Sequence, residues 1–248
     1  MNYMQTFNRV LEIRRIQPYL MCHFGKYFSA VLTPIFIYYN ISANVLTISR
    51  FILSIFSLVG LLLYYTEYFS LFLFCYWVMS WLLDFVDGDI ARVQNKSTFV
   101  GNYLDGLFDL LLNGLLFICL GFIVYKIENN ILYYFLGTYG CIGTLLSNLN
   151  IDRYSAFRRW ILEEQKIDIG THLMSKPLKI IRSSYNNLRP TLIIILFCIG
   201  YNFMIIQILL WVGAVWNTIY FSYYVLLFVK NAHLIIDKPR HDGTGRKR

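Results

Sequence analysis

The chain has 248 residues, of which 57% are hydrophobic, 18% aromatic and only 15% charged. This composition excludes an ordinary soluble domain and indicates a protein that crosses a membrane several times. The net charge of +8 is attributed to Lys and Arg that flank the spans and meet anionic lipid heads, so we expect no nucleic-acid partner. The five Cys and four His lack the spacings of disulfide frameworks or zinc sites.

Residues 1–43 are predicted to form a cytoplasmic, interfacial segment. Apolar residues recur there at helical spacing, at Tyr3, Met4, Phe7, Val10 and Leu11. This pattern predicts an amphipathic helix on the membrane surface, and the alternative is a frayed, solvated terminus. The apolar run 27–39 is too short to span a membrane, and we expect Pro34 to break it. An interfacial or re-entrant piece is therefore predicted there.

Six membrane spans are predicted within one membrane domain, residues 44–230, which gives an all-α integral membrane protein. The expected spans are 44–65, 68–84, 99–125, 130–149, 190–205 and 206–229. The fifth is marginal against the about 20 residues that a spanning helix needs. A basic hydrophilic segment, 150–189, separates the fourth and fifth spans, and a basic tail, 231–248, follows the last.

Lys and Arg are concentrated on one side of these predicted spans. Eight lie in residues 150–189, four in the N-terminal stretch and six from residue 230 onward, whereas the opposite turns carry only Lys126. Because positive residues accumulate on the cytoplasmic side, both termini, the segment 150–189 and the aspartate-bearing stretch 84–109 described below are predicted to face the cytoplasm. The protein would be a multi-pass protein of an inner or plasma membrane.

Four aspartates stand in an otherwise membrane-like stretch. Asp84 and Asp87 are three residues apart, and Asp105 and Asp109 are four apart, so on helices each pair points to one side. Two helices meeting there would gather four carboxylates, which requires cations and is how oxygen-ligand sites for Mg²⁺ or Mn²⁺ are built. The alternative, a set of interfacial ion pairs, is disfavoured because residues 84–109 contain only two cations.

The same stretch resembles the signature of the CDP-alcohol phosphatidyltransferase family, D-x2-D-G-x2-A-R-x8-G-x3-D-x3-D. Every fixed position matches: Asp84, Asp87, Gly88, Ala91, Arg92, Gly101, Asp105 and Asp109. At ordinary residue frequencies, a chance match at a given start is on the order of 10⁻¹⁰. Asp89 lies within the motif but is not a fixed position, and we expect it to face water.

A weaker match precedes the first span. Asn44, Thr47 and Arg50 are similar to the family's entrance pattern P-N-x-x-T-x-x-R, with Ala43 in place of the proline. We favour the hypothesis that these polar groups line the donor cavity. The alternative is a helix cap at Asn44 and an Arg50 that snorkels to the interface.

The resemblance implies a transferase of substituted phosphate groups that moves a phospho-alcohol from a CDP-activated donor to a hydroxyl acceptor and releases CMP. It implies two Mg²⁺ or Mn²⁺ ions at Asp84, Asp87, Asp105 and Asp109. Asp105 and Asp109 would be catalytic, with Asp109 as the base. The nucleotide site would comprise Gly88, Ala91, Arg92 and Gly101, joined by Asn44 and Thr47. A homodimer is also implied.

The substrates are left open. CDP-diacylglycerol is the favoured donor, with a small polar alcohol as acceptor, in phospholipid biosynthesis; the alternative is a soluble CDP-alcohol that donates to a lipid or lipid-linked glycan hydroxyl. Arg153, Arg158 and Arg159 either grip a phosphate on the acceptor or contact lipid heads. Rival hypotheses are a divalent-cation transporter and an inactive scaffold.

Overall fold

A computed structural model of the protein describes residues 2–13, 20–165 and 192–236. The described residues form helices, with no strand among them. The helices are α1 (Tyr3–Ile13), α2 (Leu20–Tyr38), α3 (Ala43–Leu63), α4 (Phe69–Trp77), α5 (Leu83–Val93), α6 (Phe99–Glu128), α7 (Ile131–Gln165), α8 (192–199) and α9 (Phe203–Ile236). A π-helical turn, Val78–Leu82, joins α4 to α5 without a break.

Four helical segments of the described chain are long and apolar enough to cross a membrane. They are Ala43–Leu63, Phe69–Val93, Phe99–Glu128 and Phe203–Lys230. They correspond to the first, second, third and sixth predicted spans, and large apolar side chains such as Phe56 and Leu63 remain exposed on them, as expected of lipid-facing surfaces. The all-helical membrane fold is thus confirmed, with four spans supported.

The other two predicted spans are not among these four. The fourth lies within α7, which continues as one helix through Gln165 into the predicted hydrophilic segment. The fifth overlaps α8, which ends before Gly200 (φ +80°). The remainder of the basic segment, residues 166–189, and most of the basic tail, from residue 237, lie outside the described residues. Six spans therefore stay a prediction.

Asparagine marks three helix ends. Asn40, Asn95 and Asn129 have φ of 55°, 52° and 51°, and they follow α2, α5 and α6 respectively. Asn tolerates this left-handed conformation better than other side chains, so it ends a helix where glycine otherwise would. At the opposite end, Ser42 caps α3 by accepting from the Val45 amide at 3.4 Å, so α3 begins at Ala43 without the family's proline.

The N-terminal helices differ in part from the sequence-based expectation. Helix α2 runs through Pro34 unbroken, so the expected break is wrong. Proline removes one intrahelical hydrogen bond, but α2 packs against α1 and α5 through residues such as Leu32 and Phe36, and this packing outweighs the local cost. A helix forms over residues 3–13, while its placement on a membrane surface stays a prediction.

In the core, α3 packs against both α5 and α6. The main apolar cluster draws on α3, α4, α6, α8 and α9, with Leu61, Leu73, Leu120, Leu196 and Leu210 fully buried. A second cluster joins Leu46 of α3 to Val86 and Ile90 of α5. Phe51 of α3 stacks on Phe108 of α6 with ring centroids 4.0 Å apart. These contacts set the polar faces of the three helices toward one another.

Candidate active site

A single arginine joins the four aspartates. Arg50, on α3, has no solvent-exposed surface. Its Nε donates to Asp87 Oδ2 at 2.8 Å, and its Nη1 donates to Asp109 Oδ1 at 3.0 Å. Its Nη2 lies 2.9 Å from Asp84 Oδ1 and also donates to Asp105. The predicted convergence of acids from two helices is therefore observed, around a cation from a third helix.

The second span is shaped to receive this arginine. The π-helical turn Val78–Leu82 directly precedes α5, whose second residue is Asp84, and the Ser80 carbonyl within the turn accepts from Arg50 Nη1 at 3.2 Å. Such turns widen a helix locally and recur at functional sites. All three guanidinium nitrogens thus have partners, which a fully buried charge requires. The alternative of an Arg50 that snorkels and a cap at Asn44 is wrong, since Ser42 supplies the cap.

The cluster stays negatively charged after this pairing. Four carboxylates and one guanidinium together carry a formal charge of −3. Close carboxylates at membrane depth are costly unless further cations join them. The arrangement therefore suits additional positive charge and is not a closed set of ion pairs.

Three of the acids fit a divalent cation. Ligand oxygens of Asp84, Asp105 and Asp109 lie within 4.8 Å of one another, and these side chains are 30%, 41% and 39% exposed. Carboxylate oxygens are the hard ligands that Mg²⁺ and Mn²⁺ take. Asp87 is not part of this group: it is buried, and its Oδ2 accepts from Thr47 at 2.9 Å as well as from Arg50.

The predicted nucleotide residues fall into three places. Asn44 lies against Gly101 at the start of α6, where an added Cβ would stand 2.6 Å from Asn44 Oδ1. Gly101 donates its amide to the capping residue Thr98 at 3.0 Å. The absence of a side chain at Gly101 therefore lets the entrance of α3 approach α6 closely. Thr47 is one turn further along α3, where its hydroxyl donates to Asp87 Oδ2.

Gly88, Ala91 and Arg92 are on α5. The Arg92 guanidinium lies over Gly88, where an added Cβ would stand 2.9 Å from its Nη2. Arg92 also donates through Nη2 to Asp89 Oδ1 at 2.7 Å. Asp89 is buried, so the expectation that it faces water is wrong. Its Oδ2 accepts from Ser29 of α2 at 2.5 Å.

Ala91 and Arg92 line an open groove of about 900 Å³ that is bordered on its other side by α1. We call it the α1 groove and define it by Asn8, Arg9 and Glu12 of α1 with Ala91, Arg92 and Asn95 at the end of α5. Its volume is in the range of small-molecule sites. No pattern in the sequence predicts that α1 meets this part of the motif.

The candidate acceptor residues lie elsewhere. Arg153 and Arg159 are exposed on α7, which packs against α6 and α9. Neither forms an ion pair with the four aspartates in the described part of the chain. Arg158 is on the same helix, and its side chain lies outside the described residues. Acceptor binding by these arginines stays a prediction.

Two functional features were missed from sequence. The pairing of Arg50 with the aspartates is not predicted from the motif, because Arg50 lies outside residues 84–109, the stretch that contains the four acids. A signal existed, since Thr47, Arg50, Ser54 and Ser57 repeat at helical spacing and are all buried on one face of α3. The link from Ser29 to Asp89 had no sequence signal, because it depends on how α2 packs against α5.

Comparison with known proteins agrees with this arrangement. The model of the CDP-alcohol phosphatidyltransferase family matches residues 40–219, which include α3 to α6 and all four aspartates. None of the curated proteins compared with the chain matches it. The family transfers a phospho-alcohol from a CDP-alcohol and generally depends on divalent metal. Because the match spans well over half of the sequence, the chain belongs to the CDP-alcohol phosphatidyltransferase family.

Proposed function

We propose that the protein transfers a phosphatidyl group from CDP-diacylglycerol to the hydroxyl of a small polar alcohol and releases CMP. The observation that carries this proposal is the open, net-negative cluster of Asp84, Asp105 and Asp109 beside Arg50 in a member of this family. A fixed scaffold would more easily be built from a neutral set of ion pairs. The excess of carboxylate suits a site that receives cations together with an anionic donor.

Each residue of the cluster is assigned a role in the reaction. Asp84, Asp87, Asp105 and Asp109 would hold two Mg²⁺ or Mn²⁺ ions, which when bound neutralise the donor's phosphate oxygens and stabilise the departing CMP. Asp109, about two-fifths exposed, accepts the proton of the attacking hydroxyl. The acceptor oxygen then bonds to the lipid-bearing phosphorus as the bond to the CMP oxygen breaks. Arg50 keeps the carboxylates in place.

Nucleotide contacts are assigned to the remaining motif residues. Gly88 lets Arg92 lie close to the α5 backbone, and Gly101 lets Asn44 lie close to α6. Arg92 would present forked donors to a phosphate. Asn44 and Thr47 would border the same cavity, with Ala91 on its wall. The proposal also assigns acceptor contacts to Arg153, Arg158 and Arg159. It places the site on the cytoplasmic side of a six-span domain, residues 44–230, and includes a homodimer.

The test is a donor and acceptor assay on the purified protein. CDP-diacylglycerol with labelled polar alcohols, and soluble CDP-alcohols with diacylglycerol or a lipid-linked glycan, are incubated with Mg²⁺ while CMP release is measured. We expect release with CDP-diacylglycerol. Release only with a soluble CDP-alcohol would reverse donor and acceptor. No release with any donor would contradict the transferase proposal and leave the transporter or scaffold hypotheses.

A further inference from the structure

The α1 groove joins the motif to a helix outside the family-matched residues. The match begins at residue 40, whereas the groove's other wall is α1, Tyr3–Ile13. Helix α1 is held in place there. Val10 packs with Ala30 and Val93 in a buried cluster, and Tyr3 Oη donates to the Val31 carbonyl at 3.0 Å. Its polar side chains therefore face the groove from a fixed support.

The groove lies next to the aspartate cluster. Asp84, Asp87 and Ala91 follow at i, i+3 and i+7, so they share one face of α5. Ala91 is one turn, about 6 Å of helix rise, beyond Asp87. A nucleotide whose phosphates lie near the aspartates would reach the groove with its sugar and base. Arg92, held by Asp89, stands at the junction.

The polar side chains of α1 are complementary to the hydrogen-bonding edge of cytosine. Asn8 and Glu12 are both exposed and are four residues apart, so they are neighbours on the helix face. A carboxylate accepts from the amino group of cytosine, and an amide donates to the ring acceptors beside it. Uracil presents a carbonyl where cytosine has its amino group, so it would meet the carboxylate with the wrong polarity.

We propose that α1 reads the cytosine base of the donor, with Glu12 accepting from the amino group and Asn8 donating to the ring edge. This inference rests on the proposed function and adds selectivity residues outside the matched region. It makes the N-terminal helix a wall of the nucleotide site, on the side opposite Ala91 and Arg92.

The test measures binding of CMP and UMP to the full-length protein in Mg²⁺ by titration calorimetry. We expect the wild type to prefer CMP. Glu12→Gln and Asn8→Ala should each weaken CMP binding about tenfold and bring the CMP-to-UMP preference toward one. Both side chains are exposed, so folding should be retained. Met4→Ala, exposed on α1 but outside the groove lining, is the matched control and should bind as the wild type does.

Unchanged CMP and UMP affinities in both variants would overturn the inference. Equal losses for the two nucleotides would also overturn it, because a merely structural role of α1 would weaken both alike. A wild-type protein that binds neither nucleotide would contradict the proposed function itself. The two failures are therefore distinguishable.

Discussion

Helix α5 carries two charged networks that differ in their balance. On one face, Asp84 and Asp87 join Asp105 and Asp109 around a single Arg50, which leaves a formal charge of −3. On the other side of α5, Asp89 pairs with Arg92 and has Ser29 as a neutral partner, for a charge of zero. The neutral network is complete by itself. The negative one has an excess of carboxylate that could bind a divalent ion, which is why we propose it as the reactive centre.

The largest effect should come from the proposed base. Asp109→Asn removes the carboxylate that accepts the hydroxyl proton, so turnover should fall on the order of 10³-fold. CMP binding should change little, because the nucleotide contacts are elsewhere. Asp152→Asn, an exposed acid on α7, is the matched control and should keep wild-type turnover. An Asp109→Asn variant with full activity would show that Asp109 is not the base.

The effect of Mg²⁺ on the melting temperature should depend on the aspartate cluster around Arg50 and not on the Asp89–Arg92 pair. Binding of a divalent ion at about 100 times its dissociation constant stabilises the folded protein by about 2.7 kcal/mol, so Mg²⁺ should raise the melting temperature of the wild type relative to chelator. Asp105→Asn should reduce this Mg²⁺-dependent shift, since Asp105 belongs to the three-acid group. Asp89→Asn should retain it. Equal shifts in both variants would place the ion outside the cluster.

Replacing the buried Arg50 should mainly lower the free energy of unfolding. Arg50→Gln leaves the four carboxylates without their common cation, and breaking a buried pair costs about 3–5 kcal/mol. Thermal unfolding in chelator should report a large loss, which added Mg²⁺ partly restores because the ion supplies the missing charge. A loss that Mg²⁺ does not alter would argue against a cation site beside Arg50.

The smallest effect should come from the neutral network. Asp89→Asn weakens a charged hydrogen bond to Arg92, a change of about 1.5–3 kcal/mol, so Arg92 should be less well positioned. The KM for the CDP donor should rise by about tenfold or more with little change in kcat. Ser29→Ala should act in the same direction and more weakly. A fall in kcat at unchanged KM would contradict a positioning role.

The sequence predicted the part of the site that depends on local spacing. The i, i+3 and i, i+4 spacings of the aspartates place them on helix faces, and the apolar runs predict the helices that carry them. The contributions of Arg50 and Ser29 depend instead on which helices pack side by side. The predicted break at Pro34 was wrong for the same reason, because tertiary packing of α2 outweighs one lost hydrogen bond.

The most direct test is to locate ions in a structure of the protein determined with Mn²⁺ and CMP. The account predicts two Mn²⁺ peaks in anomalous density, with carboxylate oxygens of Asp84, Asp87, Asp105 and Asp109 as their protein ligands. Density for CMP with no Mn²⁺ at these acids, in a preparation that catalyses transfer, would contradict it.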